Sequence, residues 1–416
     1  MQLVNLIAEE QLHQDFVAYW SGGQSVAAGR SPYAWLSEER PLSSDDYVYP
    51  PLLAVLLAPF TRVTSYTTAR WGWLIFSALS LLLGGWLIWR SSGLRLWGRP
   101  LLALVPLLAL WPSVIWTLSI GQVTMQLLLV LAAAEAAVVS QRQGVAGALV
   151  SVGSHLKTFP LLLVGYLALR RQWRACLSAV VTGLVLLALL LLAVGWEAHW
   201  VYLTQVVRAQ QVLFVSGWNA SLTGFWMHLL SGTAALGAIA VSSLVMVAVS
   251  AFAIWRAPPG RSGENTAFGL AVLTSMLLAP INSQYNLVLL ILPLAIAAAR
   301  VQSLWPRYLR WLMIIALCLS FRWELCDMPG LQNVCYDLFF SDGGSPPVAG
   351  VLALLLSGPV FGQVVLWALL VRLCFEAGAS EPAAAKVTPA HRPAGRSGDG
   401  RPIDGLAGGG KTHGRR

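Results

Sequence analysis

From about residue 67 onward, apolar segments close to twenty residues long follow one another, broken by short loops in which arginine recurs. That pattern constrains the fold more than any other feature of the chain. A helix needs ~20 apolar residues to cross the hydrocarbon core of a bilayer, and there each backbone polar group must be satisfied internally. Composition agrees. Of 416 residues, 57% are hydrophobic and 11% charged, against about 25% charged in a soluble chain; the mean hydropathy is +0.67. The chain reads as an all-α polytopic membrane protein. Its net charge of +9 does not call for nucleic acid, because Arg and Lys occupy short loops and the tail, as the positive-inside rule requires.

Candidate spans lie at 67–89, 100–118, 122–140, 175–195, 231–255, 267–280, 285–299, 309–322 and 349–374, about nine in all. Leu52 to Phe60 is too short to cross and reads as an interfacial or re-entrant helix. Placing Arg90, Arg142, Arg170, Arg256, Arg300 and Arg372 on the inner side works if segment 145–169 begins and ends inside. That segment is interrupted at Ser154-His155-Leu156-Lys157-Thr158 and Pro160, so it reads as a pair of half-helices that dips in and returns. Three regions follow: an outer-face loop, 1–66, with the interfacial helix; a transmembrane domain, 67–375; and a disordered cytoplasmic tail, 376–416. Residues 1–14 carry no signal peptide. The expectation is that a first transmembrane helix is missing before Asp15.

The polar residues that interrupt this apolar body are the candidates for chemistry. Asp15 and Tyr19 share a helix face. A carboxylate among aromatics at a membrane surface can act as a general base; the alternative is a helix cap or a solvated charge. Tyr49 belongs to the same outer polar stretch, in Tyr47-Val48-Tyr49-Pro50-Pro51, whereas Asp45 and Asp46 read as loop charges. Lys157 is an ionisable residue inside a membrane segment, suited to an anionic group such as a lipid phosphate; the alternatives are a snorkelling side chain or a structural ion pair. His155 fits a satisfied core position at least as well as a ligand role. Gln122 could bond a sugar hydroxyl or cap a helix. Asn219 and Ser221 could bind substrate or cap the helix that follows, and they also form a sequon. Gln284 lies in the polar break Pro280 to Tyr285, where irregular backbone should line a cavity. Cys176, Cys318 and Cys374 read as packing residues, and Cys326 and Cys335 share a loop in which they could pair. No cysteine spacing suggests zinc. No phosphate-binding glycine loop, nucleotide fingerprint, Ser-His-Asp set or metal cluster is present.

The order of motifs is Asp15-x-x-x-Tyr19, Gly29-x-x-Pro32-Tyr33, Tyr49-Pro50-Pro51 with Pro59, Gly121-Gln122, Gly147 with Lys157-x-x-Pro160, Arg170-Arg171-x-Trp173, and Asn219-x-Ser221. In this the chain resembles the family-87 glycosyltransferases, membrane enzymes of the GT-C class. Each motif is short; their order and spacing carry the likeness from about residue 15 to 300, with weaker cover to 375. The resemblance implies a GT-C-like fold and a hexosyltransferase that takes a sugar, mannose or another hexose, from a polyprenyl-phosphate donor. The acceptor would be a lipid or glycan at the outer face of the cell inner membrane. It implies an inverting attack with Asp15 as base and a lipid phosphate as leaving group, with no nucleotide and no cofactor, and it leaves the metal requirement open. Substrate contacts would fall among Tyr19, Tyr49, Gln122, His155, Lys157, Asn219, Ser221 and Gln284. Two departures are expected: the family's first transmembrane helix would be missing before Asp15, and a frequent His appears here as Gln284 or Tyr285. The competing reading is a transporter or flippase of a lipid-linked substrate, which half-helices and a buried Lys also suit.

Overall fold

The computed structural model describes residues 14–38, 42–43, 45–94, 111–215, 219–303, 311, 314–315, 318 and 357–376. All belong to one compact unit, Met1–Ala379; Ser380–Arg416, most of the expected tail, lie outside the described residues. Among the described residues the regular structure is helical, apart from one antiparallel bridge between Asn219 and Ser283.

Five described helical stretches are long and apolar enough to cross a membrane: Tyr66–Ser92, Trp173–Ala209, Gly232–Arg256, Gln284–Val301 and Gly358–Glu376. A sixth span is counted if the bent pair Pro112–Ile120 and Thr124–Val139, between which the chain turns by 119°, crosses as one. The chain is thus an α-helical polytopic membrane protein, with five or six spans among the described residues where about nine were expected. The expected span at 309–322 lies almost wholly outside the described residues, as does much of 100–118.

The helices that position the site come early. Helix α1, Gln14–Ala27, packs chiefly on α2, Leu52–Val63, the short helix expected near the interface. Helix α3, Tyr66–Ser92, is started by Ser65, whose hydroxyl accepts from the Thr68 amide at 3.3 Å, and it lies along α5, Thr124–Val139. Between them α4, Trp111–Ile120, ends at the bend before α5. Helix α6, Gln143–Leu156, stops at Lys157; a tight turn at Phe159–Leu161 leads to α7, Leu162–Leu169. Pro160 explains the break, since it offers no amide and disfavours helix in the residue before it. The two half-helices expected across 145–169 are therefore present with Lys157 between them.

Helix α6 packs most extensively on α8, Trp173–Val201. Gly147 makes this possible: a Cβ there would lie 2.0 Å from the Ala175 carbonyl oxygen. The outer face of α8 is apolar and bare, with Leu192 85% exposed, as a surface facing hydrocarbon must be.

Helix α9, Leu222–Leu229, precedes α10, Gly232–Arg256. Helix α11, Arg261–Leu278, begins earlier than the span expected at 267–280 and is buried from Gly263 to Leu277. Its polar first residues hid that earlier start from a hydropathy reading. Glu264 accepts from Arg170 at 2.6 Å and from the Tyr166 hydroxyl at 2.9 Å, so the charge is neutralised where water is excluded. Helices α12, Ile291–Ser303, and α13, Gly358–Glu376, close the bundle around α11.

Candidate functional site

Asp15 occupies the first turn of α1, where the helix dipole favours a carboxylate. It accepts the Tyr49 hydroxyl proton at 2.6 Å. The Tyr49 oxygen in turn accepts from Gln122 Nε2 at 2.6 Å, and Gln122 Oε1 accepts from the Tyr19 hydroxyl at 3.0 Å. Tyr19 sits one helical turn after Asp15, so the shared face expected from spacing is realised, and its ring meets that of Tyr49 edge-on at 4.8 Å.

The same network runs on to a cation. The Thr124 hydroxyl lies 3.4 Å from Gln122 Oε1 and 3.2 Å from Asn286 Oδ1. Lys157 Nζ donates to Asn286 Oδ1 at 2.6 Å and to Thr124 at 3.1 Å, and stands 4.7 Å from the centre of the Tyr285 ring. The side chain is buried and, among the described residues, has no carboxylate in direct contact.

Local folding explains each placement. Tyr49 is fixed by a brace of aromatic hydroxyls: Tyr33 donates to its carbonyl at 2.7 Å, and Tyr47 donates to the Pro50 carbonyl at 2.5 Å while accepting the Ala54 amide. Gln122 is delivered by the bend after α4, where Gly121 has φ 72°. A Cβ on Gly121 would come within 2.8 Å of Phe16 Cβ, so glycine lets the bend pack against the residue beside Asp15. The Gly121 carbonyl also accepts the Trp73 indole proton at 2.7 Å.

Burial raises the Asp15 carboxyl above the ordinary carboxylate range, and the Tyr49 bond, the Lys157 charge and Gln122 oppose that rise. Burial likewise drives the Tyr49 and Tyr19 hydroxyls well above the usual tyrosine value, so both stay protonated as donors.

Beside this network lies a cavity of about 280 Å3. Tyr49, Lys157, Tyr285 and Asn286 form its polar wall; Phe159, Leu162, Phe214 and Leu278 form an apolar one. Asp15 sits half-buried behind Tyr49.

Four expected site residues are placed elsewhere. His155 turns its Nδ1 to the Ser151 carbonyl of its own helix at 2.9 Å and faces Gly183 of α8. Asn219 bonds the Pro280 carbonyl at 2.8 Å and accepts from the Asn282 amide at 2.9 Å. Ser221 caps α9 by accepting the Gly224 amide at 3.1 Å. Both therefore brace the polar break rather than line the cavity. Gln284 is buried, with Oε1 unpaired among the described residues, and is not part of the cavity wall; its neighbours Tyr285 and Asn286 are. Asn286 and Thr124 join the site without having been expected. Asp46 is used locally, accepting the Ser43 amide at 2.7 Å. No group of His, Cys, Asp and Glu among the described residues could hold a metal ion. The Cys326 and Cys335 pairing lies outside the described residues.

Residues 47–280, more than half of the chain, match glycosyltransferase family 87. The chain belongs to this family. The match takes in Tyr49, Gln122 and Lys157, and it begins after Asp15 and Tyr19. One relative is the polyprenol-phosphate-mannose-dependent alpha-(1-2)-phosphatidylinositol pentamannoside mannosyltransferase of Mycobacterium tuberculosis (strain CDC 1551 / Oshkosh). It is 27% identical over 287 residues, which cover 67% of this family-87 chain and 64% of the relative. The family-87 chain thus spans somewhat less than two thirds of that relative. No solved structure matches it.

Proposed function

We propose that this family-87 protein is a membrane glycosyltransferase that moves a sugar, mannose or another hexose, from a polyprenyl-phosphate donor to a hydroxyl of a lipid or glycan acceptor. The observation that carries the reading is the continuous hydrogen-bonded path from Asp15 through Tyr49, Gln122 and Thr124 to Lys157, beside a cavity with one polar and one apolar wall. A buried ammonium suits a phosphate, the apolar wall suits a prenyl chain, and the carboxylate suits a hydroxyl nucleophile. The family and the mannosyltransferase relative support the same class of donor.

In this reading Asp15 takes the proton of the acceptor hydroxyl as its oxygen attacks the anomeric carbon. The bond from that carbon to the phosphate oxygen breaks, and the configuration inverts. The departing lipid phosphate gains negative charge, which Lys157 stabilises from a position held by Asn286 and Thr124. Tyr49 stays protonated and orients the carboxylate. The protein sits in the cell inner membrane with this site on the extracytoplasmic side, because that orientation puts the arginine-bearing loops inside.

Membranes containing the full chain, incubated with radiolabelled polyprenyl-phosphate mannose and other polyprenyl-phosphate hexoses, test the reading. Covalent transfer of one label to a lipid or glycan product is expected. Movement of labelled donor between leaflets with no covalent product would overturn it in favour of transport.

A further inference from the structure

A second cavity, about 560 Å3, lies at the far end of the same helices. Trp73 of α3 packs by the catalytic network, and Arg90 of α3 lines the far cavity; 17 residues of helix separate them, about 25 Å. Helix α5 gives the same result, running from Thr124 in the network to Val139 in the far cavity wall. That separation approaches the ~30 Å thickness of a bilayer core. The far cavity is thus at the opposite membrane surface.

Its charge is one-sided. Arg90, Arg142 and Arg261 line it, from α3, the start of α6 and the start of α11. Arg261 is locked in place, donating to the Arg90 carbonyl at 2.7 Å and to the Ser91 carbonyl at 3.0 Å. Arg90 lies over the Trp86 ring at 5.4 Å, and the Arg142 side chain makes no cap to its helix. No carboxylate is among the described lining residues; Glu135 is fully buried and acts on Arg261. Three arginines therefore line one cavity, together with Ala136 and Ser140.

Trp86 and Trp89 are 46% and 45% exposed at this level. Tryptophan collects where headgroups meet acyl chains, so the cavity opens at headgroup depth rather than into water alone. We infer that it binds the phosphodiester headgroup of an anionic lipid of the opposite leaflet, a site distinct from the donor-phosphate position at Lys157.

The full-length protein, purified in detergent, is incubated with phosphatidylglycerol, phosphatidylcholine or inorganic phosphate, and retained ligand is counted by native mass spectrometry. The expected result is retention of phosphatidylglycerol over phosphatidylcholine, falling tenfold or more in the double variant Arg90→Gln/Arg142→Gln. Arg256→Gln removes a charge from the end of α10, a position outside the cavity wall, and should retain lipid as the parent does. Circular dichroism checks that the double variant is folded, and Arg142→Gln alone, at an exposed position, gives an intermediate loss. Equal retention of both lipids, an equal loss in Arg256→Gln, or undiminished retention in the folded double variant would overturn the inference. So would displacement of the lipid by an equimolar amount of inorganic phosphate. None of these readouts depends on transfer activity.

Discussion

Tyr49 donates a hydrogen bond from its phenol hydroxyl to Asp15 at 2.6 Å across 34 residues of sequence, joining the outer loop to the first turn of α1. The bond holds down a carboxyl that burial pushes up. A general base works deprotonated, so transfer is lost as pH falls through the raised Asp15 value, which lies above the usual carboxylate range. Tyr49→Phe removes a contribution that lowers it. The acid limb of the kcat/KM profile should therefore move to higher pH, with most activity restored in alkaline buffer. The variant also leaves Gln122 Nε2 without its acceptor, at a cost of ~1–3 kcal/mol in stability. An acid limb that stays where it was would contradict this role for Tyr49.

Lys157→Met deletes a buried ammonium bonded to Asn286 and Thr124. Hydrogen bonds from charged groups contribute ~1.5–3 kcal/mol, so KM for the polyprenyl-phosphate donor should rise roughly 10–100-fold, with Lys157→Arg recovering part of the loss. An unchanged donor KM removes Lys157 from the phosphate site.

Gly121→Ala places a Cβ against Phe16 at a backbone angle that favours glycine. Strain and overpacking should cost about 1–3 kcal/mol, and because Phe16 adjoins Asp15, turnover should fall with thermal stability. A variant equal to the parent in both melting temperature and turnover would show that the bend does not set the Asp15 position.

Orientation is tested by cysteine labelling in a background whose native cysteines are serine. Ser37→Cys should react with an impermeant maleimide in intact cells, and Ser140→Cys only after permeabilisation. Both positions are exposed. Labelling of position 140 from outside would reverse the assigned topology.

Gln122 and Lys157 were legible in the sequence because each is polar against an apolar background, and Asp15, Tyr19 and Tyr49 because they sit in the one polar stretch before that background, the first two one helical turn apart. Asn286 and Thr124 were not. Thr124 looks like an ordinary helix start, and Asn286 lies one residue past the polar break at Pro280 to Tyr285. His155 was drawn in by its nearness to Lys157, yet the chain leaves the helix between them, so the two side chains face different neighbours. Asn219 and Ser221 are polar for a local reason, since they hold the Pro280–Asn282 turn. At the level of fold, the break at Pro160 was readable from backbone chemistry, whereas the start of α11 was not. Its Glu264 depends on Arg170, a partner 94 residues away, and no local window contains both.

The most direct measurement of the account is turnover of Asp15→Asn with labelled polyprenyl-phosphate hexose, beside Asp45→Asn and Asp46→Asn. Asparagine keeps the shape and can still bond Tyr49, but it cannot take the acceptor proton. General-base catalysis contributes about 10²–10⁴-fold. The account predicts a loss of that size in folded Asp15→Asn with donor binding retained, and milder effects in the two controls. Near-normal turnover in Asp15→Asn, with abolition in Asp45→Asn or Asp46→Asn, would contradict it.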